Sequence, residues 1–441
     1  MQRLKTIFPI NRDETIILKQ KLLNWSKQFS IFCFLDTNSY PSIYNGYECL
    51  LATEATEFIN ITSHPDCLSS LQKLHDSKKD WLFGNINYDF KNYLEKKLFS
   101  DNEIRTYFPD FAFFIPATVC YINKEQTEFV IESFSPPEKI HETIINFSID
   151  EFIEEIPEIN FLCSLDKKEY IETINTLKEH IANGDCYEIN YCTSRHCNDV
   201  IINPLQTFNT LNNLSPSPFA AYYRLQDKYL LCASPERYLK KENFKLISQP
   251  IKGTARRDAD AIKDFEIKNL LRNDIKECAE NIMIVDLVRN DIAKCCETGS
   301  IKVDELFGVY TYPQVHQLIS TVSGTIKPSI PFTDAIRHSF PMGSMTGAPK
   351  HIVMQMIEKY EDTRRELFAG TIGYITPDGD FDFNVIIRSL FYNETLKHLS
   401  YHTGGAITYD SVPEQEWDEM RLKAWALERI FSREFKAITS V

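Results

Sequence analysis

The stretch Tyr170–Cys192, YIETINTLKEHIANGDCYEINYC, changes from one periodicity to another. In its first half, apolar side chains recur at helical spacing, at Tyr170, Ile174, Leu177 and Ile181. Gly184 follows them as a helix stop, and the residues YEINYC then predict a strand. A helix that leads into a strand indicates a mixed fold, α/β or α+β, and periodicity alone does not decide between the two.

The same mixture of elements continues toward the C-terminus. The sequence predicts a long helical region over about Ala261–Asn290 and a further helix opened by Pro349. Two strands are predicted around the turn Pro377–Gly379. A last helix is predicted to begin with a capping box at Ser411.

Toward the N-terminus, the sequence becomes rich in aromatic and β-branched residues, which predict short strands separated by turns. Residues 135–160 are acidic and less apolar, as is typical of a connector. We therefore predict an N-terminal lobe with its connector over residues 1–160 and a catalytic lobe over residues 161–441.

The charge of the chain limits the partners that it is expected to bind. Among its 441 residues, 62 acidic side chains outnumber 48 lysines and arginines, which gives a formal net charge of −14. Such a surface repels nucleic acid and anionic membranes, so neither is expected as a partner. Positive charge for an anionic substrate would have to lie inside a pocket. Without a membrane-spanning window or a signal-peptide pattern, a cytoplasmic protein is expected.

Two pairs of glutamates share one spacing. Glu277 and Glu280 are three residues apart in a predicted helix, and Glu416 and Glu419 repeat this spacing in the last helix. Each pair therefore lies on one helix face. If the two helices face each other, their carboxylates could hold Mg²⁺. The alternative is a pair of solvated helix faces, which is the commoner origin of this spacing.

Two further residues have the chemistry of a reactive site. Lys252 lies in QPIKGTARR beside a glycine, and its amine would be a nucleophile if burial or a nearby cation lowers its pKa. The alternative is a surface lysine at a strand end. Glu236, in ASPERYL, would be a general acid if an apolar pocket raises its pKa. The alternative is a rim residue of a turn.

Several other segments favour the binding of an anion. Thr346 and Gly347 precede a predicted helix, whose free N–H groups attract anions. Arg388 and Tyr374 are predicted on the strands around the Pro377–Gly379 turn, where an arginine can grip a carboxylate with two hydrogen bonds. Gly405 lies in a second glycine loop. His316, taken alone, is more typical of a core histidine than of a catalyst.

Nine segments in one order resemble the chorismate-utilising enzymes, most closely the aminodeoxychorismate synthase component I branch. They span about Leu165–Ile430 and read GDCYEINYC, ASPERYL, PIKGTARR, ENIMIVDLVRND, VHQLISTVSG, FPMGSMTGAPK, TIGYI with IIRSL, GGAI, and EWDEMRLKA. The resemblance implies a two-layer antiparallel β-sandwich core with helices packed outside and a cleft for chorismate. It also implies an enzyme of p-aminobenzoate and folate synthesis.

The resemblance assigns roles to individual residues. It implies that Lys252 attacks C2 of chorismate while Glu236 protonates the leaving C4 hydroxyl, and that ammonia then replaces the lysine. It implies Mg²⁺ on Glu280 and Glu419, with Glu277 and Glu416 behind them. The residues implied to bind the substrate are Thr254, His316, Thr346, Tyr374, Arg388, Gly405 and Lys423.

The chain also departs from the family pattern. Glu188 stands where isochorismate and salicylate synthases have a water-activating lysine and where close relatives often have glutamine, which disfavours an isochorismate-type reaction. Ala406 replaces the third glycine of the usual GGGI, and Met420 replaces a threonine beside Glu419.

Two other functions remain open at the level of the sequence. Anthranilate synthase component I is the rival within the family, although those enzymes typically have alanine in place of Lys252. A catalytically inactive, chorismate-binding relative is the rival of a different class. The chain has no recognisable glutamine amidotransferase segment, so ammonia is expected from a separate glutaminase subunit.

Overall fold

The computed structural model describes residues 3–61, 66–95, 97–150, 155–313 and 315–432. The strands found there are β1 (Leu4–Pro9), β2 (Ile31–Asp36), β3 (Tyr47–Ile61), β4 (Leu82–Ile86), β5 (Phe111–Asn123), β6 (Glu128–Ser133), β7 (Leu162–Cys163), β8 (Glu188–Cys197), β9 (Phe219–Leu225), β10 (Lys228–Ser234), β11 (Arg237–Glu242), β12 (Lys245–Gln249), β13 (Ile251–Arg256), β14 (Lys302–Thr311), β15 (Val315–Thr325), β16 (Gly347–Ala348), β17 (Thr371–Ile375), β18 (Phe381–Asn384), β19 (Ser389–Asn393) and β20 (His398–Ile407).

Helices alternate with these strands along the chain. They are α1 (Thr15–Ser26), α2 (Cys67–Lys78), α3 (Lys91–Leu94), α4 (Pro137–Asn146), α5 (Lys167–Ala182), α6 (Pro204–Leu214), α7 (Ala261–Asn273), α8 (Ile275–Ala293), α9 (Phe332–Ser339), α10 (Lys350–Tyr360) and α11 (Pro413–Arg429). The predicted succession of α5 and β8 is confirmed, and Gly184 between them has the left-handed φ of +83° that suits a helix stop.

The predicted helical region over Ala261–Asn290 is two helices. Asp274 ends α7 with extended backbone, and its carboxylate accepts a hydrogen bond from the backbone N–H of Glu277 at 2.9 Å. This N-cap starts α8 as a separate helix, because the aspartate side chain replaces a backbone partner in the first turn.

The predicted capping box at Ser411 is wrong. Helix α11 begins at Pro413 with Val412 before it, and no side chain caps its N-terminus. The Ser411 hydroxyl instead accepts a hydrogen bond from the backbone N–H of Thr408 at 3.1 Å, so it closes the preceding turn. Proline in the first turn starts the helix, as its fixed φ allows.

All the pairs between these strands are antiparallel, and they form one branched sheet with two arms. From β5, the first arm runs through β3, β2, β9, β10, β19 and β20 to β8. The second arm runs from β5 through β4, β17, β18, β11 and β12 to β15, which also pairs with β13 and β14.

The first arm is apolar on both faces. Phe32 and Phe34 of β2 belong to one hydrophobic core and Cys33 to another, because successive side chains of a strand point to opposite faces. One core lies between the two arms, and the other lies between the first arm and helices α1, α4, α6 and α11. This arrangement confirms a mixed α/β (α+β) fold, a two-layer antiparallel sandwich with helices outside.

Strands from before and after residue 160 share the sheet, since β2 pairs with β9 and β4 pairs with β17. The predicted division into lobes at residue 160 stays a prediction. The predicted connector contains α4, whose Ile144 is buried in a core, and residues 151–154 of that connector lie outside the described residues. No helix in the described part of the chain is long and apolar enough to cross a membrane.

Candidate active site

One cavity gathers most of the predicted site residues. It holds about 920 Å³ of empty space, including its mouth, and β8, β13, β15, β20, α8 and α11 contribute to its walls. The predicted site residues that line it are Glu236, Lys252, Thr254, Glu277, Glu280, Arg388, Gly405, Glu416, Glu419 and Lys423.

Lys252 of β13 lies buried at the wall of this cavity. Its Nζ donates a hydrogen bond to Oε1 of Glu188, at the start of β8, at 2.7 Å. Burial lowers the pKa of the amine, but the charges of Glu188, Glu280 and Glu236 outweigh burial and raise it. Lys252 is therefore an ammonium in the free protein. The lowered pKa that the sequence made a condition for a nucleophile is not found.

The backbone of Lys252 is fixed against α8. Gly253 has a φ of +99°, and a Cβ at this position would lie 3.1 Å from Oε2 of Glu277 and 3.0 Å from Cβ of Leu318. Only glycine adopts this conformation without strain and lets the strand approach so closely. From α8, the Asn281 side chain donates a hydrogen bond to the carbonyl of Lys252 at 3.4 Å.

Glu236 lies between β10 and β11 and is also buried. Burial raises the pKa of its carboxyl to about 7, although a hydrogen bond from Ser344 and the charge of Lys252 both lower it. The Ser344 hydroxyl donates to Oε1 of Glu236 at 2.6 Å. Near neutral pH this carboxyl is thus divided between its acid and ionised forms, which suits a group that has to donate a proton.

Arg388 lines the cavity, but not from a strand as predicted. It lies in the segment before β19 with a φ of +51°, a strained conformation for a residue with a side chain. Within the described ranges, its partly buried guanidinium has no hydrogen-bond or ion-pair partner, and burial lowers its pKa. A buried cation without a partner is costly, and a carboxylate would satisfy it with two parallel hydrogen bonds.

The two glutamate pairs meet through one lysine. Nζ of Lys276 lies 3.4 Å from Oε1 of Glu416 on α11 and 3.8 Å from Oε1 of Glu280 on α8. Oε1 of Glu280 is buried and accepts no hydrogen bond, and burial raises the pKa of this carboxyl to about 7. Glu419 pairs with Lys423 at 2.8 Å, which lowers the pKa of Glu419.

These carboxylates fit a divalent cation that takes only part of its ligands from the protein. Oε1 of Glu280 and Oε1 of Glu416 both lie near the ammonium of Lys276. Carboxylate oxygens of this kind are the ligands that Mg²⁺ prefers. In the described part of the chain, no three acidic, histidine or cysteine side chains come close enough to hold a metal by themselves. Mg²⁺ commonly binds one or two carboxylates and completes its shell with water and substrate oxygens.

His316 was predicted to bind the substrate, but it does not line the cavity. It is buried on β15, and both ring nitrogens have partners. Nε2 lies 3.0 Å from Oδ1 of Asp264, and Nδ1 lies 3.0 Å from Oγ1 of Thr311. This is the environment of a satisfied core histidine, and contact with a substrate stays a prediction.

Thr346 and Tyr374 also lie outside the lining of the cavity. The Thr346 hydroxyl donates to the carbonyls of Met342 and Gly343, each at 3.2 Å, so it closes its own turn. Tyr374 is buried on β17 and lines a second cavity with Asn45. For both residues, substrate binding stays a prediction.

Some cavity residues were not singled out from the sequence. Ser344 lies in the quoted segment FPMGSMTGAPK, but no spacing rule marks its hydroxyl as the partner of Glu236. Lys276 could not be found either, because its place between Glu280 and Glu416 depends on how α8 and α11 pack. Met420, one of the departures, is buried, and its sulfur accepts a hydrogen bond from Thr193 at 3.0 Å.

Comparison with known proteins gives relatives named aminodeoxychorismate synthase component 1. The chain is 29% identical over 360 residues to aminodeoxychorismate synthase component 1 of Bacillus subtilis, which covers 78% of this chain and 76% of the relative. It is 39% identical over 251 residues to the Salmonella typhimurium protein of the same name, covering 57% of this chain and about half, 55%, of the relative.

A solved structure has the same fold. The anthranilate synthase component I from Streptococcus pneumoniae superposes with a TM-score of 0.75 at 25% identity, over 88% of this chain and 93% of the other. The pattern that describes the chorismate binding enzymes matches residues 31–429, a segment that contains every residue of the cavity. The chain therefore belongs to the chorismate binding enzyme family.

Proposed function

We propose that this enzyme converts chorismate and ammonia to 4-amino-4-deoxychorismate, the reaction of an aminodeoxychorismate synthase component I. The observation that carries the proposal is a buried lysine, Lys252, on the wall of a cavity that also holds a carboxyl with a pKa near 7, Glu236. The relatives from Bacillus subtilis and Salmonella typhimurium bear the name of this activity.

The cavity offers cations for the two carboxylates of chorismate. Arg388 has no other partner among the described residues, and Lys423 presents its ammonium beside Gly405, where a side chain would lie 3.6 Å from Nζ. Burying a dianion in an acidic protein requires such local positive charge. These residues hold the ring so that C2 faces Lys252 and the C4 hydroxyl faces Glu236.

In the first chemical step, the neutral amine of Lys252 forms a bond to C2 of the ring. The ring double bonds shift, the C4–O bond breaks, and Glu236 gives its proton to the departing hydroxyl, which leaves as water. The product is a lysine adduct of chorismate less one water. Positioning the amine against the ring makes the attack effectively unimolecular, and the acid removes a poor leaving group.

In the second step, ammonia attacks C4 and the double bonds shift back. The C2–N bond breaks and returns its electron pair to Lys252, and a proton from the new ammonium group restores the acid form of Glu236. When bound by Glu280 and Glu419, with Glu277 and Glu416 behind them, Mg²⁺ would supply positive charge for the ring carboxylate. The sum of both steps is chorismate and ammonia to aminodeoxychorismate and water.

Ammonia would come from a separate glutamine amidotransferase subunit. The name "component 1" of the relatives implies a second component, and at neutral pH free ammonium is not a nucleophile. Ammonia passed directly between two subunits would reach the cavity before it is protonated.

The test is to incubate the purified chain with chorismate, Mg²⁺ and ammonium chloride and to identify the product by liquid chromatography and mass spectrometry. We expect aminodeoxychorismate, and we expect none from the Lys252→Ala control. Anthranilate with pyruvate would make the enzyme an anthranilate synthase instead. Chorismate binding without turnover would make it an inactive relative.

A further inference from the structure

We propose that Glu188 is the base that removes a proton from Lys252 before the lysine attacks the substrate. The inference rests on the proposed function and adds a catalytic residue to it. The sequence had left the role of Glu188 open, and its position at the start of β8 is distant in the chain from Lys252 on β13.

The two side chains are already joined by the bond along which a proton would move. Nζ of Lys252 donates to Oε1 of Glu188 at 2.7 Å, and the two residues are 8% and 1% exposed. Oε2 of Glu188 is buried and accepts no hydrogen bond from any described residue. A proton that arrives on this carboxylate therefore breaks no other hydrogen bond.

The backbone of Glu188 is held in place by strand β16. Ala348 of β16 pairs with Glu188, and the N–H of Tyr187 donates to the carbonyl of Ala348 at 2.8 Å. At Gly347, a Cβ would lie only 2.1 Å from the carbonyl oxygen of Glu188. Glycine at 347 thus allows the close strand contact that fixes where the Glu188 side chain begins.

The other carboxylates near Lys252 are less suited to this step. Glu236 has to keep its proton for the C4 hydroxyl, and Glu280 pairs with Lys276 at 3.8 Å. Neither forms an ion pair with Lys252 within 4.0 Å among the described contacts, whereas Glu188 does. Glu188 is thus the acceptor that the geometry favours.

The step balances without any co-reactant. An N–H bond of the Lys252 ammonium breaks, an O–H bond of Glu188 forms, and both charges disappear. The freed lone pair then forms the bond to C2. When ammonia later expels the lysine, Glu188 and Lys252 regain their charges by the reverse transfer.

The decisive measurement is the rate at which the adduct of chorismate less one water appears on the protein at pH 7 without ammonium, by intact mass spectrometry. Glu188→Gln keeps an acceptor oxygen for Lys252 but cannot take a proton, and we expect its rate to fall about 100-fold. A carboxylate that only paired with the lysine would act in the opposite sense. Its removal would lower the pKa of the amine and make adduct formation as fast or faster, which would overturn the proposal.

Small anions provide a second readout that does not depend on the glutamine variant. In Glu188→Ala, added formate can occupy the space of the carboxylate and accept the proton, whereas nitrate has the same charge and planar shape but is not basic. We expect formate to raise the rate at least about tenfold and nitrate to leave it unchanged. Equal acceleration by nitrate would show that Glu188 acts only as a negative charge beside Lys252 and not as a base.

Circular dichroism and the chorismate dissociation constant of each variant check that the fold and the cavity are intact. Failure of the proposed function has a different signature. If the wild-type protein forms no adduct, Lys252 is not the nucleophile, and the proposed role of Glu188 as its base is wrong as well. If the wild-type protein forms the adduct and Glu188→Gln does so equally fast, only the base is wrong.

Discussion

At the scale of single residues, the site consists of acids and bases whose protonation is set by burial together with neighbouring charges. Lys252 is kept charged by the carboxylates around it, and Glu236 is brought to a pKa of about 7 by burial. The lysine therefore has to lose a proton and the glutamate has to deliver one within the same turnover. Both requirements depend on charges that come from other segments of the chain.

Removal of the amine tests the nucleophile. Lys252→Ala should form no adduct, and amination with ammonium should fall at least about 100-fold, or ~2.7 kcal/mol of barrier. Because alanine leaves Glu188 buried without a partner, Lys252→Gln serves as the matched control, since its amide can still donate to Glu188. An unchanged adduct mass in either variant would contradict the assignment.

The pH dependence of adduct formation tests Glu236. Because this carboxyl must be protonated to act, the rate should be high below pH 7 and fall as pH rises through the pKa of about 7. Ser344→Ala removes a hydrogen bond that stabilises the ionised form, so the falling limb should move upward by about one pH unit. Glu236→Gln should flatten this limb and slow the reaction about 100-fold. A profile that Ser344→Ala does not move would exclude Glu236 as its origin.

At the scale of elements, the site depends on how α8 approaches α11 and β13. The cap at Asp274 starts α8, and Glu277 and Glu280 follow in its first turns. Glycine at 253 lets β13 lie against this end of the helix. Two helices and one strand thus bring the lysine and the acidic pairs to the same cavity.

The acidic pairs predict opposite effects of two substitutions on Mg²⁺ binding. Glu280→Gln removes a carboxylate and should weaken Mg²⁺ binding about tenfold or more, whereas Lys276→Met removes the competing ammonium and should strengthen it. Isothermal titration of Mg²⁺ into protein saturated with chorismate measures both. Equal affinity in wild type, Glu280→Gln and Lys276→Met would show that no ion binds between these helices.

The contact of β13 with α8 can be tested through stability. Gly253→Ala places a Cβ against Glu277 and Leu318 at a φ of +99° and should lower the free energy of unfolding by ~2–3 kcal/mol. Gly299→Ala is the matched control, because its φ is +78° but no atom lies within 4 Å of the added Cβ. It should cost only ~1 kcal/mol. If urea unfolding shows the same loss of unfolding free energy in both variants, the close contact of β13 with α8 does not contribute to stability.

At the scale of the whole molecule, the cavity is built by both arms of the sheet. β20 and β8 end the first arm, and β15 with β13 ends the second, so the site forms only when the arms close over their shared core. With a formal charge of −14, the molecule has an acidic surface around a cavity that holds Lys252, Arg388 and Lys423. Five glutamates, Glu236, Glu277, Glu280, Glu416 and Glu419, line the same cavity, so these cations provide positive charge only locally.

The nitrogen source is tested on the whole chain. The purified protein with chorismate and glutamine, and no partner, should give no aminodeoxychorismate, whereas high ammonium should give product at moderately alkaline pH, where more of it is free ammonia. Product formation is followed by mass spectrometry with ¹⁵N-amide glutamine. Labelled product from the chain alone would contradict the need for a glutaminase subunit.

The sequence by itself determined the local elements and the family. The helical spacing before Gly184 and the strand after it follow from side-chain periodicity, and α5 and β8 confirm them. The order of the nine motifs predicted a chorismate-utilising fold, because each motif is a local string of residues. Local signals were weaker at helix ends, where the cap at Asp274 and the absence of one at Ser411 depended on single hydrogen bonds.

Only the tertiary structure decided the electrostatics of the site. The pairing of Lys252 with Glu188 and of Glu236 with Ser344 joins segments that are distant in the chain, and no spacing rule predicts them. The sequence analysis made a lowered pKa the condition for a nucleophilic Lys252, but the pKa is raised. It is raised because folding brings three carboxylates around the buried amine. Coulombic energy depends on distance and burial, and both exist only once the two arms have closed.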